Sequence, residues 1–175
     1  MLFRSLGLYV LGLPPSGEEL VRALIFLFVT IAYAGVWLAL AMLFSIVFRS
    51  AATAVLVSLG LWLFLSLIWP SFAPYLAVAA SPSTDEETLI LIAQYMSRLS
   101  PSTLYAEVVV AILTPTTRSL GPIYLSQLQG AVLGAPMPLG ESLMIAWPQI
   151  VGLVAGTILL FVLGYVIFQR QEVRA

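Results

Sequence analysis

Long charge-free stretches alternate with short polar links along this chain of 175 residues. Three of the stretches are long enough to cross the ~30 Å hydrocarbon core of a bilayer, which takes about 20 apolar residues in a helix. They predict transmembrane helices at residues 23–48, 51–72 and 145–169. Helices are predicted because every backbone N–H and C=O group in lipid needs a partner within its own segment. The fold class is therefore all-α, in one polytopic membrane domain over residues 1–175.

Aromatic, proline and glycine residues set the expected limits and contacts of these helices. Trp69 and Trp147 are predicted to be interfacial anchors on one face of the membrane. Pro70 and Pro74 are expected to end the second helix, because proline lacks the N–H that the helical ladder requires. In the third helix Gly152 and Gly156 form a Gly-x-x-x-Gly pair, which would allow close helix packing.

The segment at residues 73–144 is predicted to be extracytoplasmic and helical, since it is too long for a structureless loop. Its first helix is amphipathic, with an apolar face and a polar face. The apolar face comprises Leu89, Ile92, Met96 and Leu99, and the polar face Glu87, Gln94 and Arg98. A second helix is predicted from Ser100–Pro101 to Thr114–Pro115, and a weaker third helix between Gly121 and Gly134. None can span the bilayer, so they are expected to lie at the outer interface, or to dip partway in and return.

The N-terminal residues 1–13 are apolar but too short to span a bilayer. They are interpreted as part of another span, which would make this an N-terminally shortened chain. A short interfacial helix is the alternative.

Arginine distribution predicts the orientation of the helices. Arg49, Arg170 and Arg174 fall on one side of the three spans, whereas Arg22 lies near a span end on the other. Because basic residues are enriched in cytoplasmic segments, the C-terminus is predicted to be cytoplasmic, in a multi-pass protein of the plasma (inner) membrane.

Composition excludes several kinds of chemistry. Only 9% of the residues are charged, against about 25% in a typical soluble domain, so a water-soluble enzyme is excluded. The chain has no His, no Cys and no Lys, which removes the usual metal ligands, a thiolate nucleophile and a lysine Schiff base. A net charge of −1 provides no basic surface for nucleic acid. No cofactor, metal site or catalytic residue is therefore expected, and the protein is not expected to be an enzyme.

Glu107 interrupts an otherwise apolar predicted helix. An ionisable group at membrane depth indicates a functional site, because burying its charge in hydrocarbon is costly. The alternative is that Glu107 points to water from the polar face of an interfacial helix.

Three stretches resemble the C-terminal half of integral membrane permease subunits of ATP-binding-cassette (ABC) transporters, of the exporter-like second type and similar to the NosY type. The first, residues 43–54, ends a span and begins the next through a small-residue turn (Leu-Phe-Ser-Ile-Val-Phe-Arg-Ser-Ala-Ala-Thr-Ala). The second is Leu-Ser-Pro-Ser-Thr-Leu-Tyr at 99–105, with Leu-Thr-Pro at 113–115. The third, Phe-Gln-Arg-Gln-Glu-Val-Arg at 168–174, ends the last span.

The resemblance implies a permease that moves substrate across the membrane with energy from a separate ATPase subunit. It also implies a second permease subunit, in a homodimer or a heterodimer surrounded by membrane lipid. The chain has no Gly-Lys-Ser/Thr phosphate-binding loop, so ATP hydrolysis would belong to the partner. The alternative function is a non-transporting membrane scaffold or assembly factor, which would be a truncated permease.

Overall fold

The computed structural model describes residues 16–81, 85–114 and 138–172, and all regular structure in these ranges is helical. The predicted all-α fold class is confirmed. The helices are α1 (Gly17–Val47), α2 (Ala51–Leu63), a π-helical turn (Phe64–Ile68), α3 (Trp69–Ala80), α4 (Glu86–Ser97), α5 (Pro101–Leu113) and α6 (Leu139–Glu172). The apolar residues 1–13, the predicted helix at 121–134 and Arg174 lie outside the described residues.

Three helical runs are long and apolar enough to cross a membrane. They are α1 with 31 residues, the continuous run Ala51–Ala80 with 30 residues, and Leu139–Gln171 with 33 residues. Each exceeds the roughly 20 residues that a bilayer requires. The run Ala51–Ala80 consists of α2, the π-helical turn and α3, and is called the second span below.

The prediction that Pro70 and Pro74 end the second helix is wrong. Helix α3 continues to Ala80 with Pro74 in its interior, and Pro70 occupies its first turn. The helical ladder changes register in the π-helical turn directly before Pro70, where Trp69 N–H donates to Phe64 O rather than to the residue four positions back. Pro70 therefore follows a point at which the regular ladder is already interrupted, and proline in such a place does not end a membrane helix.

Helices α1 and α6 lie side by side and run in the same direction. Near their first turns Arg22 Nη1 lies 3.4 Å from Ser142 Oγ, and near their last turns Gln171 Nε2 lies 3.4 Å from Ile46 O. The bundle therefore has a Gly17 end, where α1 and α6 begin, and an Arg49 end, where the α1–α2 turn lies beside the end of α6.

Helices α1 and α6 come close together at Gly35. A Cβ atom at this position would lie 3.0 Å from Cγ2 of Thr157. The Thr157 hydroxyl lies 3.0 Å from Ala32 O of α1 and 2.9 Å from Leu153 O of its own helix, and its single proton is shared between these two acceptors. Small residues allow such contacts between membrane helices because they let the backbones come close.

The predicted Gly-x-x-x-Gly pair takes little part in this contact. A Cβ at Gly152 would lie 3.4 Å from Leu104 of α5, and one at Gly156 would meet no atom within 4 Å. A role for the pair in close helix packing stays a prediction.

Helices α4 and α5 form a hairpin that enters the bundle from the Gly17 end. Helix α4 packs along α3, and α5 packs between α1 and α6. At the tip of the hairpin, Ser100 donates its hydroxyl proton to Leu65 O at 2.7 Å. Since Leu65 is at the middle of the second span, the hairpin dips halfway along the bundle and returns, as the second of the two alternatives predicted.

The predicted polar face of α4 contacts the protein at Gln94 and Arg98. Gln94 lines a cleft beside α3, and Arg98 forms an ion pair with Glu107 of α5. Leu99, on the predicted apolar face, is exposed on the surface of the chain. An amphipathic pattern predicts polar side chains in water only for a helix at a water-facing surface. Helix α4 lies against a membrane span, and its polar side chains have their partners inside the protein.

We expect Gly35→Leu to destabilise the bundle. The added side chain has no space beside Thr157, and overpacking of this kind costs about 1–3 kcal/mol. Thermal unfolding in detergent measures the effect. Gly60→Leu is the matched control, because no atom lies within 4 Å of the Cβ position at Gly60. Equal melting temperatures for the two variants would contradict the close contact of α1 with α6.

Candidate functional site

Glu107 and Arg98 form an ion pair inside the hairpin. Arg98 Nε lies 2.9 Å from Oε2 and 3.2 Å from Oε1 of Glu107. Their side chains are 23% exposed for Arg98 and 12% for Glu107. The tight link between the two helices brings them together, because Arg98 caps the end of α4 and α5 begins at Pro101. Opposite charges in contact reduce the cost of holding each of them away from water.

Gln149 extends this pair to the third span. Its Nε2 donates to Glu107 Oε2 at 2.8 Å, and the residue is only 3% exposed. The Glu107 carboxylate therefore accepts hydrogen bonds from the end of α4 and from α6 while its own backbone belongs to α5. We call Arg98, Glu107 and Gln149 the carboxylate cluster.

The geometry distinguishes between the two interpretations of Glu107. Its carboxylate does not point outward from a polar helix face, since two donors cover it and most of its surface is buried. Beside it, a cleft of about 300 Å³ runs between α3 and α4 and includes Pro70, Pro74 and Gln94 in its lining. A role of Glu107 in function stays a prediction.

A second polar group lies between α1, the π-helical turn and α5. The rings of Tyr33 and Tyr105 are stacked with centroids 4.5 Å apart. The Tyr105 hydroxyl is 3.1 Å from Thr30 Oγ1, the Tyr33 hydroxyl is 3.0 Å from Ser102 Oγ, and Ser102 Oγ is 2.6 Å from Ser66 Oγ. We call these five residues the hydroxyl layer.

The sequence analysis does not predict the hydroxyl layer. A signal for it was present in α1, where Thr30, Tyr33 and Trp37 recur at helical spacing on one face of an otherwise aliphatic helix. No such spacing identifies Ser66 and Ser102, because their meeting depends on how far the hairpin enters the bundle.

Arg22 is a buried residue that sequence reasoning counted only for orientation. Its Nη1 donates to Ile112 O at 2.7 Å, and its Nη2 lies 2.8 Å from Glu18 Oε1. Ile112 is in the last turn of α5, where carbonyl groups lack helical partners. Arg22 thus fixes the returning end of the hairpin to the first turns of α1, at the Gly17 end.

The remaining predicted site residues are spread over the bundle. Arg49 and Arg170 are exposed and both lie at the Arg49 end. Trp147 is exposed, whereas Trp69 donates its indole N–H to Met96 O at 2.8 Å and so ties α3 to the end of α4. Their roles as cytoplasmic-side charges and interfacial anchors stay predictions.

Among the described residues, no group of three or more acidic side chains could hold a metal ion. The polar groups that come together here are arranged to hold helices against one another, and the carboxylate cluster does so across three of them.

We expect Glu107→Ala to lower the stability of the protein by an amount near the lower end of the roughly 3–5 kcal/mol seen when one partner of a buried ion pair is removed. The variant leaves the Arg98 guanidinium and the Gln149 amide without their acceptor. Thermal unfolding in detergent measures the loss of stability. Glu87→Ala, which removes an exposed acid of α4, is the control, and we expect it to lower the stability by less than about 1 kcal/mol.

The double variant Arg98→Ala/Glu107→Ala completes the test of the cluster. If the two side chains act as a pair, the double variant is less destabilised than the sum of the two single variants. Strict additivity would show that the charges do not interact.

Comparison with known proteins adds the family. The family model described as ABC-2 family transporter protein matches residues 6–173. Neither a curated protein nor a solved structure gives a significant match. Proteins of the matched family are transmembrane components rather than catalysts. The NosY type and the assignment to the C-terminal half stay predictions.

With three long apolar helices and a family match over nearly its whole length, the chain belongs to the ABC-2 family of transporter proteins and is a membrane permease component of an ABC transporter.

Proposed function

We propose that this permease component moves substrate across the plasma membrane with energy from a separate ATPase subunit, paired with a second permease subunit. The observation that carries the proposal is the half-depth hairpin. It is held by Arg22 at its returning end and by the carboxylate cluster, which joins its two helices to α6. An element that enters from one end and stops midway gives the two halves of the bundle different access.

The packing beside α1 supports a difference in access between the two halves of the bundle. Toward the Gly17 end, α5 fills the space between α1 and α6 with a core that includes Val29, Val108, Ile112 and Leu153. Toward the Arg49 end, two apolar grooves are open. One of about 430 Å³ lies between α1 and α6, and one of about 420 Å³ lies between α1 and α2. The hairpin therefore acts as the closed gate of the transport path, and the grooves belong to its open side.

The charges at the two ends support a cytoplasmic C-terminus. Arg49 and Arg170 lie at the Arg49 end, and an excess of arginine is typical of the cytoplasmic side. Six acidic residues lie at the ends of helices toward the opposite side: Glu18, Glu19, Asp85, Glu86, Glu87 and Glu141. In this orientation the hairpin enters from outside, and the grooves open toward the compartment in which ATP is hydrolysed.

The orientation is tested with single cysteines, which the cysteine-free chain permits. In right-side-out membrane vesicles, we expect a membrane-impermeant maleimide to label Asp85→Cys. It should label Ser50→Cys only after the membrane is permeabilised. Both positions are exposed, so the difference reports the side of the membrane rather than burial. The reverse labelling pattern would contradict the orientation.

The coupling to an ATPase is tested by isolating the full chain from its native membrane in a mild detergent and reconstituting it. We expect the chain alone to hydrolyse no ATP. A complex with its ATP-binding subunit should hydrolyse ATP faster than that subunit alone, because permease movement and hydrolysis are linked. ATP hydrolysis that is indifferent to the chain would instead favour the non-transporting scaffold.

A further inference from the structure

The groove between α1 and α2 is the more polar of the two grooves that open toward the Arg49 end. Its lining includes two indole groups and two hydroxyl groups, those of Trp37, Trp62, Ser45 and Ser58. The groove between α1 and α6 has the hydroxyl of Tyr165 in its lining, and this hydroxyl is already hydrogen-bonded within α6. No charged side chain of the described residues lines either groove.

The two indoles stand at the inner end of the α1–α2 groove, beside the hydroxyl layer. Both approach the hydroxyl of Tyr33, which is already 3.0 Å from Ser102 Oγ. Trp62 is 38% exposed, whereas the Trp37 N–H is buried and makes no hydrogen bond to any of the described residues. A buried N–H without an acceptor costs free energy. The inner end of the groove therefore offers two indole donors to a single hydroxyl oxygen.

Bulk lipid does not supply a further acceptor at this depth. Trp37 lies ten residues before the end of α1 at Val47, and Trp62 lies eleven residues after the start of α2 at Ala51. At a helical rise of about 1.5 Å per residue, both indoles are roughly 15 Å from the Arg49 end, which is half of the ~30 Å hydrocarbon core. The polar groups of bilayer lipids lie at the edges of this core. An occupant that binds the indoles therefore brings its own acceptor to the middle of the membrane.

We propose that the α1–α2 groove binds the transported substrate, and that this substrate is an uncharged amphiphile with an apolar chain and a hydroxyl, ester or amide oxygen. The proposal rests on the transport function proposed above. The volume of the groove, about 420 Å³, and its apolar walls with a few polar groups are typical of a small-molecule site. The apolar chain lies along residues such as Leu40 and Val55, and the oxygen accepts the N–H of Trp62.

This contact also accounts for the unbonded indole. An oxygen bound to Trp62 leaves the Tyr33 hydroxyl to accept from Trp37. A phosphate or a carboxylate does not fit, because no basic side chain of the described residues is present in the groove to compensate its charge.

Photo-crosslinking to the full chain in phosphatidylcholine nanodiscs tests the site. The probe is a monoacylglycerol with a diazirine in its acyl chain, which has ester and hydroxyl oxygens and no charge. We expect crosslinks on residues of the groove such as Leu40 and Val55, and an excess of unlabelled monoacylglycerol should remove them.

Two further probes distinguish the occupants. Diazirine analogues of phosphatidylcholine and of acylglycerol phosphate should label the groove at least roughly 5-fold less at equal amounts. Equal labelling by the phosphatidylcholine analogue would show that ordinary bilayer lipid fills the groove. Equal labelling by the phosphate would show that the groove does not select against charge. Either result would overturn the proposal, and neither comparison requires a variant that must fold.

Trp62→Phe separates the hydrogen bond from the packing of the ring. The variant keeps an aromatic side chain and removes the N–H, so half-maximal labelling by the monoacylglycerol should need roughly 5-fold more probe, the usual effect of one hydrogen bond. Trp147→Phe is the matched control, because it removes an exposed indole of α6 outside the groove. It should label as the parent does. Unchanged labelling of the Trp62→Phe protein would contradict the contact.

The labelling needs neither ATP nor a partner subunit, so it fails separately from the transport function. A parent protein that stimulates its ATP-binding subunit but does not take up the monoacylglycerol would overturn the substrate class alone. A parent protein that binds the monoacylglycerol in the groove without affecting ATP hydrolysis would support the site and contradict the proposed coupling.

Discussion

The fold depends on giving every backbone polar group a partner where no water is available. A hairpin that stops halfway along the bundle interrupts its own helices at the least favourable depth, because helix ends leave carbonyl and amide groups without helical partners. Here the interruption coincides with a second one, the π-helical turn and Pro70 of the neighbouring span. The Ser100 hydroxyl joins the two, so each irregular point accounts for the position of the other. At the far end of α5, the guanidinium of Arg22 does the same for Ile112 O.

The few charges inside the bundle obey the same constraint. The Glu107 carboxylate takes one donor from α4 and another from α6, and Arg98 lies against it rather than in the open. A buried pair of this kind contributes little net stability compared with apolar packing, but it penalises any arrangement in which one partner is lost. Its effect is to specify how the hairpin sits against the last span. Aliphatic contacts are not directional, whereas the hydrogen bonds of the carboxylate require its donors at defined positions.

The sequence pattern predicted the features of the fold that depend on the composition of a single segment. The three apolar runs, the start of α5 at Ser100–Pro101 and the alternative in which the hairpin dips partway in and returns all follow from hydrophobicity and capping residues. It did not predict features set by contacts between distant residues. Pro70 reads as a helix stop because its neighbours in the chain do not reveal that Ser100, 35 residues apart from Leu65, supplies the missing donor. The residues around Gly35 do not indicate its contact with Thr157. The Gly-x-x-x-Gly pair has the local pattern of a packing site, but the close contact between helices is at Gly35. The faces of α4 were assigned as if water lay on one side, a premise that fails for a helix among spans.

The contacts of α6 have a consequence for the order in which the protein assembles. Gln149 supplies a donor to Glu107, Thr157 supplies one to Ala32 O, and Ser142 lies beside Arg22. Helix α6 is the last of the described helices to leave the ribosome, so the hairpin and the first span enter the membrane before these partners exist. The growing chain must hold a half-satisfied polar interior until α6 arrives. Until that moment the Glu107 carboxylate lacks the Gln149 donor, so the polar interior of the hairpin and the first span is complete only once α6 has packed against them.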